Sequence, residues 1–188
     1  MRYPAGHKQQ KRQDLLQACG ALIKERGFSA TGVDGMAQAA GVTSGAFYSH
    51  FASKSELLKA LIAYELQHST ELWAGKLDAS FDQWLAYVMN HYLSLDHVKH
   101  AASGCVLPAL GAEVARADPS VKAVFAHELQ HGIDALAARL GSQQLATAVI
   151  SQLVGALVLA RAMPTRQGQQ RVLDASKAVL PSLVAPAA

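Results

Sequence analysis

Apolar residues recur along this chain at helical intervals, and strand-like alternation is sparse, so the pattern predicts an all-α fold. Leu15, Leu16, Cys19, Leu22 and Ile23 form a stripe on a first helix over roughly 8–26, which Gly27 and Phe28 end. Thr31-x-x-Asp34 has the spacing of a capping box and opens the next helix. Ser53-x-x-Glu56 opens a long helix over 53–78 whose buried face holds Leu57, Leu58, Leu61 and Ile62. Ser80-x-x-Gln83 starts another, running to about Lys99 with Phe81, Trp84, Leu85, Val88, Tyr92 and Leu95 on one side. Ser103-Gly104 breaks the pattern before a short helix over Cys105–Ala117. Asp118-Pro119 is a cap followed by proline at the first helical position, and the helix it opens stops at Gly141. Two more helices, roughly 142–163 and 165–183, meet at Pro164. The expected total is about nine.

The most informative stretch is 36–51, MAQAAGVTSGAFYSHF. Ala37 is small where two helices must cross closely. Gly41 follows where the chain needs a left-handed residue to end the first helix. Thr43 or Ser44 can cap the second helix, leaving its free N–H groups facing outward. Ser44, Gly45 and Ala46 let that backbone approach a groove, while Tyr48, Ser49 and His50 offer polar tips. This is the geometry of a helix-turn-helix. Phe47 and Phe51 are read as core.

The run from Glu25 to Leu58, ERGFSATGVDGMAQAAGVTSGAFYSHFASKSELL, resembles the N-terminal DNA-binding domain of tetracycline-repressor-like (TetR family) transcriptional regulators. The resemblance covers roughly residues 8–62. Phe47/Tyr48, Phe51, Ser53-Lys54 and the following leucines carry it in order. It implies a helix-turn-helix head over 1–62 and a helical ligand-binding and dimerisation domain over 63–188. It further implies a homodimeric repressor in the cytoplasm that leaves a roughly palindromic operator when a small molecule binds. Neither a cofactor nor catalysis is expected.

Charge agrees with that division. Residues 1–60 hold eight Lys/Arg against four Asp/Glu, whereas residues 61–188 hold nine against ten. A basic head is what duplex DNA requires, although an ordinary solvated basic face would look the same. Phosphate contacts are assigned to Thr31, Tyr48, His50 and Lys54, with Lys8, Lys11 and Arg12 as a flexible basic arm. Base reading falls to Thr43, Ser44, Gly45 and Ala46. None of these is Arg, Asn or Gln, so specificity would rest on backbone fit, thymine methyls and DNA shape. The first residues are polar and basic without an apolar core, so no signal peptide is expected. Residues 145–163 are long and apolar, but Thr147, Ser151, Gln152 and Arg161 argue for a helix buried between protein surfaces.

In the second domain, Val149, Leu153, Ala156, Leu157 and Ala160, with Leu173 and Leu180 on the last helix, are assigned to a four-helix dimer interface. The alternative is burial within one subunit. Trp73, Trp84, Tyr87, Met89, Tyr92 and Phe125 are candidates to line an apolar ligand pocket, or else ordinary core. Cys105 follows Gly104 at a helix start, where the helix dipole would lower its pKa, with His97 and His100 nearby in sequence. This makes it a candidate sensor of oxidants or electrophiles, while Cys19 is read as core. The two cysteines form no disulfide framework, which fits a reducing compartment.

His127-Glu128-Leu129-Gln130-His131 matches H-E-x-x-H on a predicted helix. As a zinc hydrolase it would need a third ligand from Asp134, Asp174 or an upstream histidine, and chance is the better account of the match. A metal-sensing site using His127 and His131 with His91, His97 or His100 is the closer alternative. A head used for protein rather than DNA contacts is a third reading.

Overall fold

The computed structural model describes residues 5–74 and 80–184, with side chains described over 8–71 and 80–184. Ten helices and no strand occur among the described residues. They are α1 (Ala5–Arg26), α2 (Val33–Ala39), α3 (Ser44–Tyr48), α4 (Lys54–Ala74), α5 (Phe81–Tyr87), α6 (Leu95–Lys99), α7 (Leu107–Val114), α8 (Pro119–Leu140), α9 (Gln143–Ala162) and α10 (Arg166–Val184).

The head closes around Leu15, Leu16, Cys19 and Ile23 of α1, Met36 and Ala37 of α2, Phe47 of α3, Phe51, and Leu57, Leu58, Leu61 and Ile62 of α4, all buried. Between α2 and α3 the chain turns at Gly41, φ 65°. Gly41 N–H donates to the Gln38 carbonyl at 3.0 Å and Val42 N–H to that of Ala37 at 2.9 Å. These two bonds are the Schellman pattern, which satisfies carbonyls that a helix end otherwise leaves open. Thr43 then caps α3, its hydroxyl accepting from Ala46 N–H at 3.2 Å.

α4 runs unbroken past residue 62, so one rod belongs to both the head and the following bundle. Its most extensive partner is α8, and α9 packs against α8 on one side and α10 on the other. Gly141, φ 74°, ends α8 and allows that reversal.

Two expectations are corrected. The helix foreseen over 80–99 is split: a π-helical turn, Val88–Tyr92, follows α5, and the chain then breaks before α6. Ser94 causes the restart, its hydroxyl accepting from His97 N–H at 3.1 Å, while Leu93 is fully buried at the break. The residues assigned to dimerisation (Val149, Leu153, Ala156, Leu157, Ala160, Leu173 and Leu180) are at most 7% exposed within a single subunit. They are core between α8, α9 and α10. The apolar side chains left in solvent on these helices are Val158, Leu159 and Val179, at 44%, 55% and 57% exposed. α9 is long and apolar enough to cross a membrane, but its buried face is the one packed into this bundle.

Glu113 of α7 joins the bundle to the head. Its carboxylate accepts from the backbone N–H of Phe28 at 2.7 Å and of Ser29 at 3.1 Å, just beyond the left-handed Gly27 that ends α1. Hydrogen bonds to a charged acceptor are the stronger kind, and water replaces only part of them here. Glu113→Ala should lower unfolding free energy by about 1–2 kcal/mol. Urea titrations of the two proteins check this, and coincident curves would refute it.

Candidate DNA interface and ligand cavity

α3 presents Thr43, Gly45, Ala46, Tyr48 and Ser49 to solvent, while Phe47 beneath them is fully buried. Phe47 meets Tyr48 edge-on at 5.9 Å between ring centres, and Phe51 lies at 5.5 Å from it. The ring core therefore fixes the direction in which the outer side of α3 faces. Ser44 is partly covered and its hydroxyl donates to Asp34 of α2, which ties the two helices together. Lys54 opens α4, its ammonium 4.4 Å from the centre of the Phe28 ring. Tyr48 is 52% exposed.

Three expectations about this surface change. Thr31 is buried, and its hydroxyl donates to the Gly27 carbonyl at 2.7 Å, so it closes the turn after α1 rather than facing outward. Lys8, Lys11 and Arg12 lie within α1, not on a flexible arm, and Arg12 rests 4.9 Å from the Phe51 ring centre. His50 is half-buried, with Nδ1 lacking a hydrogen-bond partner. Desolvation, then the charges of Lys8 and Arg12, push its pKa below the ordinary value, which favours the neutral ring.

A cavity of about 580 Å³ lies in the bundle. Trp84, Tyr87, Tyr92 and Cys105 line it, as the sequence suggested. Phe125 does not, nor does Met89; both pack partly buried against the core. Trp73 falls outside the described side chains. The remaining lining is more polar than expected, including Lys24, Glu65, His68, Ser69, Asn90, His91, His97 and His100.

Lys24 was not foreseen. It leaves the last turn of α1, its ammonium 2.8 Å from a Glu65 carboxylate oxygen on α4 and 3.1 Å from the Gly104 carbonyl on the cavity wall. Only 7% of its side chain is exposed. The available signal was Gly20, one turn earlier. A Cβ there would lie 2.6 Å from a Glu65 carboxylate oxygen, so glycine leaves that carboxylate the room it occupies beside Lys24.

His97 fixes the far wall. Its Nδ1 lies 2.9 Å from the Tyr92 carbonyl, and its Nε2 accepts from Cys105 N–H at 3.0 Å. A ring that accepts at Nε2 must carry its proton on Nδ1, so the neutral tautomer is specified. Gly104 is required beside it, because a Cβ would lie 2.6 Å from the ring. Arg161 of α9 donates to the His97 carbonyl at 3.0 Å. Desolvation pushes the His97 pKa down; the Tyr92 carbonyl opposes this, and the Arg161 and Lys24 charges add to it.

At Cys105 the foreseen helix effect exists but loses. Burial pushes the thiol above 9.0, while the Leu107 N–H at the start of α7, the Tyr92 and Ser69 hydroxyls and the Lys24 charge pull it down. The resting group is a thiol. Cys19 is pushed up to about 11 by burial alone.

The H-E-x-x-H run lies on α8. His127 and His131 are exposed, but Glu128 turns inward, its two carboxylate oxygens each 3.4 Å from the Gln67 amide of α4. Asp134 is occupied by the amides of Gln130 and Gln143, at 2.8 and 2.7 Å. Asp174 accepts from Gln170 on α10. Neither supplies the third ligand a hydrolase zinc would need, and Glu128 is not placed as a base over open solvent.

Residues 15–61 match the family of bacterial regulatory proteins called tetR. That stretch is a tetR-type domain. The transcriptional repressor KstR2 of Mycobacterium tuberculosis strain H37Rv is 43% identical over 58 residues, 31% of this chain and 29% of that protein. The TetC protein of transposon Tn10 from Escherichia coli is 30% identical over 108 residues, 53% of this chain and 52% of its own length. The chain thus spans between about a third and about half of these relatives. Solved TetR-type folds cover far more. The reduced form of E. coli NemR superimposes with a TM-score of 0.75 at 24% identity, over 95% of this chain and 100% of that one. A TetR-family regulator from Agrobacterium tumefaciens gives 0.75 at 19% identity, over 91% and 97%. At such identities the likeness is one of fold. It covers head and bundle alike, so the all-helical TetR architecture extends beyond the matched head.

The His97 arrangement sets a pH dependence for this protein. Its folded-state pKa lies below the unfolded value of about 6.5, so the unfolded chain takes up the proton first. The contribution is therefore complete at neutral pH and lost as pH falls below about 6.5. Melting temperatures at pH 7.5, 6.5 and 5.5 should show a smaller acid decline in His97→Asn than in the parent. Equal declines would refute the assignment.

Proposed function

We propose that this protein is a TetR-type homodimeric repressor that binds a roughly palindromic operator and leaves it when a small molecule occupies the cavity. The exposed outer side of α3, held over a buried aromatic core, is the observation that carries the reading. Gly45 and Ala46 admit close backbone approach, and Thr43, Tyr48, Ser49 and Lys54 supply groups for phosphates and groove edges. With no bidentate base reader on α3, sequence choice rests on thymine methyls and DNA shape. Such a protein works in the cytoplasm beside the chromosome. Dimerisation is assigned to the outer faces of α9 and α10, where Val158, Leu159 and Val179 lie exposed.

Ligand release follows from the cavity's position. Lys24 belongs to the head and forms part of the cavity wall, so a ligand that competes for its ammonium or displaces Gly104 favours a different setting of α1 against α4. Footprinting of the DNA upstream of its own coding region tests the whole reading. A protected, roughly palindromic site is expected, with affinity falling steeply as salt rises. Leu159→Glu combined with Val179→Glu should yield monomers that protect nothing. Absence of binding to any genomic fragment at low ionic strength would sink the proposal.

A second reading gives the cavity a covalent effector acting on Cys105. The Leu107 N–H at the start of α7, the Ser69 hydroxyl and the Lys24 charge all act on its sulfur in the direction that favours the anion. They stabilise a thiolate once one forms. E. coli NemR, whose fold this chain shares, has been solved in a form described as reduced. N-Ethylmaleimide should modify Cys105 and leave Cys19 unmodified by mass spectrometry, and it should release operator from the parent but not from Cys105→Ser. Equal release from both proteins would end this reading.

A further inference from the structure

The side-chain cluster on the outer part of α8 has no role in either reading above. His127 and His131 are one helical turn apart, on one face, with ring centres at 4.3 Å. One donor atom from each histidine and one from Glu128 all lie within 4.8 Å of one another. His131 Nδ1 is already 3.6 Å from a Glu128 carboxylate oxygen. Two ligands on a tetrahedral zinc with bonds of about 2.0–2.1 Å sit about 3.3 Å apart. Side-chain rotation alone closes the remaining gap, because all three residues share one rigid helix.

The state of Glu128 points the same way. Its side chain is 8% exposed, and both hydrogen bonds from Gln67 are long, at 3.4 Å. A buried carboxylate whose neighbours are one distant amide and the His131 ring at 3.6 Å is weakly compensated for its lost water. A divalent cation would supply what the amide does not.

We propose that His127, Glu128 and His131 form a binding site for a transition-metal dication of the zinc type, with water completing its coordination. Two imidazoles and one carboxylate suit zinc, cobalt, nickel or copper and disfavour magnesium and calcium. Glu128 serves here as the third ligand, which separates the site from a peptidase centre, where the glutamate of this motif is the base. Occupancy also has a path to the head. Glu128 meets Gln67 on α4, so a carboxylate drawn toward the metal releases the amide of the helix that leaves the DNA-binding domain. This site stands independently of the operator and effector readings.

The test is a zinc titration of the metal-free, full-length protein in competition with a chromogenic chelator. One zinc per chain is expected. His127→Ala, His131→Ala and Glu128→Gln should each weaken binding by roughly tenfold or more, whereas His91→Ala and His100→Ala at the cavity should not. Circular dichroism confirms folding of each variant. The two exposed histidines decide the matter even where Glu128→Gln fails to fold. Absence of stoichiometric zinc overturns the proposal, as does unchanged affinity in His127→Ala and His131→Ala, or loss through the cavity histidines.

Discussion

Lys24 joins three parts of the protein that the chain keeps far apart. Its ammonium contacts Glu65 on α4 and the Gly104 carbonyl on the cavity wall, while its own helix belongs to the head. A buried ion pair of this kind gives no assurance of net stability, since desolvation offsets much of the attraction. Losing one partner is different, because the charge left behind is stranded, at a cost of about 3–5 kcal/mol. Removing any one member of the arrangement therefore leaves an uncompensated group behind in a part of the protein distant in sequence. Glu113 reinforces it by holding the two N–H groups that follow Gly27.

Around that anchor the cavity is built from groups whose charge states constrain one another. His97 is held neutral by burial and by the Cys105 N–H from which its Nε2 accepts, against the opposing pull of the Tyr92 carbonyl. Cys105 feels a helix start, two hydroxyls and a nearby ammonium, yet burial still keeps it a thiol. The π-helical turn over Val88–Tyr92 contributes to the same wall, where a widened helix turns Asn90, His91 and Tyr92 toward the space. The result is a chamber that sets four histidines, His68, His91, His97 and His100, among apolar side chains, rather than a purely aromatic slot.

The two ends of the molecule illustrate different uses of an apolar pattern. In the head α1 meets α2 and α4, which follow it after short turns, but it also packs against the 101–103 turn and α7, which chain order does not announce. In the last helices an apolar stripe can face either a neighbour in the same subunit or a second subunit. Periodicity describes the stripe and says nothing of the partner. Packing between α8, α9 and α10 takes up Val149, Leu153, Leu157 and Leu173, leaving the outer faces to Leu159 and Val179.

Local features settled by neighbouring residues were legible in the amino-acid order: the Gly41 turn, the caps at Thr43 and Ser80, and the Asp118-Pro119 and Gly141 limits of α8. Backbone conformation and capping act over a few residues, so sequence alone determines them, and the helix-turn-helix with them. The burial of Thr31, the pairing of Lys24 with Glu65 and the raised Cys105 thiol were decided only in three dimensions. Each depends on burial or on a partner dozens of positions away, and neither desolvation nor a distant charge leaves a periodic mark in the chain.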